Sequence, residues 1–193
     1  MAKSVLSGPV ALAGAEAFQY VRRRLAEAFP AVDWRLGAAD GLPKLTISSP
    51  PGLAEGAFKL TPRLSDGAPQ LDIAGGATSG VVYAVDELIW TATASGGKLV
   101  LPLQPISSSP GLAYRTFWTW DHSTNWELSQ IGVQEIGVFN PYSKPPRGFL
   151  DDYKRCVDFC SRNRIAAIVI FGFLRDTHGG IDAGKELCRY ANE

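Results

Sequence analysis

Two clusters of polar residues stand at the far ends of apolar runs. The first closes Leu112-Ala113-Tyr114-Arg115-Thr116-Phe117-Trp118-Thr119-Trp120-Asp121-His122, where a guanidinium, two indoles, a carboxylate and an imidazole follow one another. The second, Arg175-Asp176-Thr177-His178-Gly179-Gly180, follows the unbroken apolar stretch Ile165–Leu174. A core strand needs only apolar side chains, so polar and aromatic groups gathered at its exit predict a ligand mouth. Tyr114, Trp118 and Trp120 offer flat apolar faces, while Arg115, Asp121, His122, Asp176 and His178 offer directional hydrogen bonds. That mixture suits sugars, whose rings have apolar C–H faces and hydroxyl rims. Three chemistries are open to the set: binding of carbohydrate hydroxyls, acid–base catalysis by an Asp–His pair, and coordination of a divalent cation. The last needs three or four convergent ligands, and these spacings match no Cys/His ligand pattern; no metal site is expected. Asp121 and Asp176 as loop caps, paired with Arg115 and Arg175, are the structural alternative.

Strands must deliver both clusters. The Leu112–Trp120 segment reads as a strand that passes through a long aromatic, Pro-rich loop (126–148) to a helix starting near Phe149. That helix has Asp151 and Asp152 in its first turn and Tyr153, Val157 and Cys160 inward. Ile165–Leu174 has the composition of a strand covered on both faces, as in a parallel sheet. Asp182 is placed to cap a last helix with Ala183, Leu187 and Tyr190 or Ala191 inward. Residues 112–193 are thus strand–loop–helix–strand–loop–helix. In parallel α/β structures ligands sit at the C-terminal ends of the strands, which is where the two clusters fall. A complete β/α barrel needs eight such units in ~250 residues, so two units leave the apolar strand faces exposed.

Residues 1–103 have a different grammar. Ala15–Phe29 predicts a helix with Phe18, Val21, Leu25 and Ala28 on one face, stopped by Pro30. Short strands follow at Trp34–Leu36, Lys44–Ile47, Ala57–Leu60 and Leu71–Ile73, separated by Asp40-Gly41, Pro50-Pro51-Gly52 and Asp66-Gly67. A second helix begins after Gly75-Gly76 with Thr78 or Ser79 as its cap; Val81, Val82, Val85, Leu88, Ile89 and Ala92 form its buried stripe. Lys98–Leu103 is one more strand. Helix, strands and helix with antiparallel hairpins between predict an α+β sheet with helices on one face. The Pro- and Ser-rich stretch 104–111 reads as a linker.

Composition narrows the function classes. Lys plus Arg and Asp plus Glu are 19 each, so no field favours nucleic acid or an anionic membrane; Arg22-Arg23-Arg24 reads as a solvated helix face. Three cysteines without a metal or disulfide framework fit reduced thiols in a cytoplasmic protein, with Cys156 and Cys160 as core thiols. Gly8-Pro9 interrupts the apolar N-terminus, against a signal peptide. Gly75-Gly76-Ala77-Thr78-Ser79-Gly80 lacks both the Gly-Lys-Ser/Thr ending and the Gly-x-Gly-x-x-Gly fingerprint. Its glycines are assigned to a tight turn and close helix–sheet packing. No cofactor is expected.

Gly56–Leu60, Leu71-Asp72-Ile73 and Gly80-Val81-Val82-Tyr83-Ala84-Val85-Asp86-Glu87-Leu88 are similar to the strand, strand, Gly-x-x-Tyr-x-x-x-x-Leu helix that precedes the barrel of α-glucuronidases and β-N-acetylhexosaminidases. Tyr114-Arg115 resembles the substrate-gripping arginine on the first barrel strand of hexosaminidases. Arg115 followed by Trp120-Asp121 resembles the first-strand motif of α-glucuronidases. The chain departs from both at Ser123–Gln130, which lacks the α-glucuronidase acidic run, and at Leu174–His178, which stands where hexosaminidases carry His-x-x-Asp. The resemblance implies an α+β N-terminal domain over 1–103, a linker, and 112–193 as the first two units of an incomplete β/α barrel of TIM type. It implies a glycoside hydrolase whose catalytic carboxylates lie on later strands, so that this part alone is inactive. Carbohydrate is the expected partner, with self-association through exposed barrel strands. The competing expectation is a non-catalytic carbohydrate-binding or assembly module complete at this length.

Overall fold

Alternation of apolar and polar residues in the first half is the plainest link from this sequence to its structure. The computed structural model describes residues 3–37, 39–65, 67–102, 104–120, 146–171 and 180–193, and the chain divides into two units, Met1–Ala113 and Tyr114–Glu193.

The first unit runs β1 (Lys3–Leu6), β2 (Val10–Ala13), a 3-10 turn (Ala15–Ala17), α1 (Gln19–Ala28), β3 (Trp34–Leu36), β4 (Lys44–Ser48), β5 (Phe58–Ser65), β6 (Ala68–Gly75), α2 (Ala77–Thr91), β7 (Thr93–Ser95), β8 (Lys98–Pro102) and β9 (Ile106–Ser108). Six strands form one sheet in the order β3-β2-β4-β6-β5-β9, and β1-β8-β7 form a second, antiparallel one. In the large sheet β2 is parallel to β3 and β4, and β4 to β6; β5 is antiparallel to β6 and β9. The expected antiparallel arrangement therefore holds for the β5–β6 hairpin, which turns at Gly67 with φ +79, but not for the middle of the sheet.

Period-two alternation decides its faces. Val10, Leu12, Leu45, Ile47, Leu71, Ile73, Phe58 and Leu60 are buried with Val21 and Leu25 of α1 and Val81, Val85 and Leu88 of α2. Leu6, Leu99 and Leu101 bring the small sheet into the same core. The opposite side of the strands carries Lys44, Thr46, Lys59, Thr61, Gln70 and Asp72. There Gln70 Nε2 donates to Thr46 Oγ1 (3.3 Å) and Asp72 Oδ1 (2.5 Å), and Arg63 Nε lies 2.6 Å from Asp72 Oδ2. This is a mixed α+β unit.

Several expectations shift. The N-terminal apolar segment supplies β1 and β2, and Gly8, at φ +79, turns the chain from one sheet to the other. Within the stretch 104–111, read as a linker, Ile106–Ser108 pairs with Leu60–Phe58 as an edge strand. Arg24 leaves the solvated face assigned to the arginine run: its Nη2 lies 3.3 Å from Oδ1 of buried Asp86 on α2. Helix α2 starts two or three residues early, at Ala77 with Gly76 as its cap, because backbone groups hold its entry. Gly76 N–H donates to Ala57 O (2.7 Å), and Gly56 N–H donates to Gly76 O (3.0 Å).

The second unit comprises β10 (Thr116–Trp120), α3 (Pro146–Arg162), β11 (Ala167–Phe171) and α4 (Gly180–Asn192). Strands β10 and β11 pair in parallel from Thr116↔Ala167 to Trp120↔Phe171. Proline at the first helical position lets α3 begin ahead of Phe149. The helix ends in a Schellman arrangement, with Ile165 N–H on Cys160 O (2.8 Å), Arg164 N–H on Ser161 O (3.1 Å), and Arg164 at φ +59 in the left-handed region. Helices α3 and α4 run side by side in the same direction. Lys154 Nζ reaches Glu186 Oε1 (2.6 Å), and Tyr190 Oη donates to Asp158 Oδ1 (2.9 Å). Among the described residues no helix is long and apolar enough to cross a membrane.

Candidate functional site

Parallel pairing brings the C-terminal ends of β10 and β11 together. Trp120 and Phe171 are register partners, so the segments that begin at Asp121 and at residue 172 leave from adjacent points. The β/α connection requires this: each helix returns the chain to the start of a parallel neighbour. Helices cover one face of the pair. Phe117, Ile168 and Ile170 pack on the cluster of Leu150, Tyr153, Cys156, Cys160 and Leu187. Trp118 and Val169, register partners on the other face, are 53% and 45% exposed. A side-by-side indole and isopropyl group on an open sheet form a flat apolar platform.

The candidate residues divide between the two ends of this unit and the segments beyond it. Trp118 lies on the open face, two residues short of the strand end. Trp120 holds the last paired position of β10. Asp121, His122, Asp176 and His178 lie outside the described residues. Arg115 stands at the other end of the strand, roughly 16 Å from Trp120 at the parallel-strand rise of about 3.3 Å per residue. Its Nε donates to Arg164 O (2.7 Å), and its own carbonyl accepts from Ala166 N–H (2.9 Å) and Ala167 N–H (3.2 Å). It therefore ties the start of β10 to the turn that leads into β11. Five intervening residue steps separate it from Trp120, and that spacing already carried the signal, since five steps along a strand span its length.

Two contributors escaped the sequence reading. Val169 sits inside an apolar run that looks uniformly buried; only its pairing with Trp118 places it on the open face. Helices α3 and α4 carry the other between them, a charged group in which Glu186 accepts from Lys154 and from Arg147 Nη1 (3.1 Å). These hydrogen bonds, led by that of Lys154, hold the Glu186 carboxyl below the usual glutamate value. An open cleft of ≈ 520 Å³ lies there, lined by Arg147, Leu150, Asp182, Ala183, Glu186 and Arg189. Asp182, expected as the cap of α4, stands inside its first turn with a fully exposed side chain. Among the described residues no three His, Cys, Asp or Glu side chains converge as a metal set would require.

The glycine turn before α2 has no room for a phosphate. A Cβ on Gly75 would lie 2.0 Å from Val81 N, one on Gly76 1.8 Å from Ala54 O, and one on Gly80 2.4 Å from Ala57 O. Backbone fills the space that a nucleotide loop leaves open. These glycines serve close helix–sheet contact.

No protein-family model matches the chain, and no curated protein sequence matches it. Solved structures do. The chain is similar to the GH20 exo-β-N-acetylglucosaminidase from Vibrio harveyi, with a TM-score of 0.59 and 17% identity over 88% of this chain and 23% of that one. It is similar to the GH20 β-N-acetylhexosaminidase from Streptomyces coelicolor A3(2), with a TM-score of 0.63 and 14% identity over 99% of this chain and 41% of that one. Chitobiase from Flavobacterium johnsoniae gives 0.59 and 10% over 100% and 31%. At these identities the likeness is one of fold, and the chain spans less than half the length of each of these proteins.

Proposed function

We propose that the chain is the N-terminal part of a hexosaminidase-like glycoside hydrolase acting on oligosaccharides. The observation that carries this reading is the parallel β10–β11 pair, which among the described residues is covered by helices on one face and ends at the two segments that hold Asp121, His122, Asp176 and His178. The fold likeness to enzymes of which the chain spans 23–41% supports it. In this reading the Trp118–Val169 face is the inside of a β/α barrel completed by further strands. The aspartates and histidines line the rim of its mouth and bind sugar hydroxyls, and Trp118 or Trp120 stacks on a ring.

Glycoside hydrolysis of this kind passes through an oxocarbenium-like transition state, with a carboxyl group protonating the leaving oxygen. Those carboxylates belong to later strands here, so residues 114–193 contribute binding and orientation rather than proton transfer. Arg115 is given a different part from the sugar-gripping one that the resemblance implied. With its guanidinium on the Arg164 carbonyl, it fixes the floor of the strand pair. The same open face gives a route to self-association.

The test is turnover of an aryl β-N-acetylglucosaminide together with binding of the dye ANS. No turnover and strong ANS binding are expected. Turnover abolished by Asp121→Asn or Asp176→Asn would falsify the inactive-fragment reading. A monomer that melts cooperatively and binds no dye would favour a self-contained binding module instead.

A further inference from the structure

Two thiols share one buried cluster inside the second unit, and the proposed sugar site uses neither. Cys156 and Cys160 occupy positions i and i+4 of α3, so they share one helix face, and both are buried beside Leu150, Tyr153 and Leu187. Interaction between the two thiols holds Cys156 below the ordinary thiol value against the effect of burial and, with burial, pushes Cys160 up. Cys188, the third thiol, is exposed on α4.

We propose that Cys156 and Cys160 are a redox-responsive pair that closes to an intrahelical disulfide and, in closing, distorts α3 where it covers the β10–β11 strands. Geometry makes the coupling unavoidable. Neighbouring i, i+4 side chains on a helix hold their Cβ atoms about 5–6 Å apart. A disulfide holds them at about 3.5–4.5 Å. The helix must therefore be drawn in at this turn. Cys160 O is also the acceptor for Ile165 N–H in the cap that ends α3, so displacing residue 160 loosens the turn that leads into β11. The same distortion makes the bond easy to reduce.

The oxidant is a small-molecule disulfide. The Cys156 thiolate attacks one of its sulfurs, forming a mixed disulfide and releasing one thiolate. Cys160, losing its proton, attacks the Cys156 sulfur; the intramolecular S–S bond forms and the second small thiolate leaves. Two electrons pass to the small disulfide, and the two protons lost by the cysteines end on the two released thiols. Both sulfurs being buried, the first attack waits on local opening of the unit. The inference stands on these residues alone and does not depend on the sugar reading.

The experiment uses the full chain carrying Cys188→Ser, held at a series of oxidised-to-reduced glutathione ratios, acid-quenched, denatured, alkylated and weighed. The expected product is lighter by two hydrogens and takes up no alkyl group. Its amide exchange is faster across α3, its melting midpoint is lower by several degrees, and dithiothreitol restores the starting state. Cys160→Ala should stop at a single glutathione adduct. Peptide mapping of the unsubstituted chain reads the same link should that variant not fold. Two thiols still open to alkylation at the most oxidising ratio would overturn the proposal. So would arrest at glutathione adducts, or a disulfide that leaves exchange in α3 unchanged.

Discussion

The sheet of the first unit turns Thr46, Thr61, Gln70 and Asp72 away from its helices, whereas the strand pair of the second turns Trp118 and Val169 away from its own. Both are one-sided α-on-β layers, and both alternate. They differ in what the uncovered face is made of. A face of hydroxyls, an amide and an Arg63–Asp72 ion pair is at ease in water. An indole beside an isopropyl group is not: burying such side chains stabilises by about 1.5–3 kcal/mol each. The first unit finishes its own surface, and the second presents one that favours a cover. The helix layers differ in the opposite sense. Between α1 and α2 the linking charge pair, Arg24–Asp86, is buried, with side-chain exposures of 12% and 4%; between α3 and α4 the Arg147, Lys154 and Glu186 group is solvated.

The comparison breaks first at the core of the large sheet. Leu71→Ala, a truncation at a fully buried position, should cost about 2–5 kcal/mol, read as a lower denaturant midpoint. Were the loss below about 1 kcal/mol, half of the smallest value expected for such a truncation, the first unit would not be the well-packed body described. The charge pairs sharpen the contrast next. Asp86→Ala leaves a buried guanidinium facing an apolar methyl and should cost about 1–3 kcal/mol. Glu186→Gln should barely move the midpoint. What effect it has belongs to pH above the carboxyl range and vanishes in acid: the folded carboxyl titrates below the unfolded value of about 4.3, so its contribution is present above that pH and fades as pH falls through the lower folded value. Arg164→Gly removes a left-handed non-glycine residue at the end of α3 and should stabilise the second unit by about 0.5–1 kcal/mol. A calorimetric midpoint that falls instead would show that the Arg164 side chain matters more than its backbone. Smallest in stability is Trp118→Thr, expected within about 0.5 kcal/mol of the parent. Its readout is dye: ANS fluorescence should drop markedly, and an unchanged signal would locate the sticky surface elsewhere.

Helices were the most legible parts of the sequence because their signals are local. The apolar stripe of α2 from Val81 to Ile89 and the stop at Pro30 after α1 need no knowledge of distant chain. The β5–β6 hairpin was legible for the same reason, through its two-residue turn. Parallel partners were not: nothing near β2 states that its neighbours are β3 and β4, because parallel strands meet through crossovers rather than turns. Segments as short as Lys3–Leu6, Val10–Ala13 and Ile106–Ser108 hold too few residues to show a period. In the candidate site the position of the two clusters at strand ends was legible from the apolar runs, and the backbone adds that β10 and β11 pair in parallel. Arg115 was read into the mouth from its residue type as well as from motif likeness; its guanidinium meets Arg164 O at the start of the strand. Asp121, His122, Asp176 and His178 belong to segments whose placement no local rule supplies.

The parallel register of β10 with β11 has a consequence for how this region tolerates length changes. Because side chains alternate with a period of two, deleting one residue ahead of Phe117 would rotate the strand's odd and even positions. The indole of Trp118 would then be driven under α3 and Phe117 swung out to solvent. Deleting two would restore the original sides at the cost of one step of overhang. A deletion series through this strand should therefore oscillate rather than decline, with the even members folding and the odd ones not.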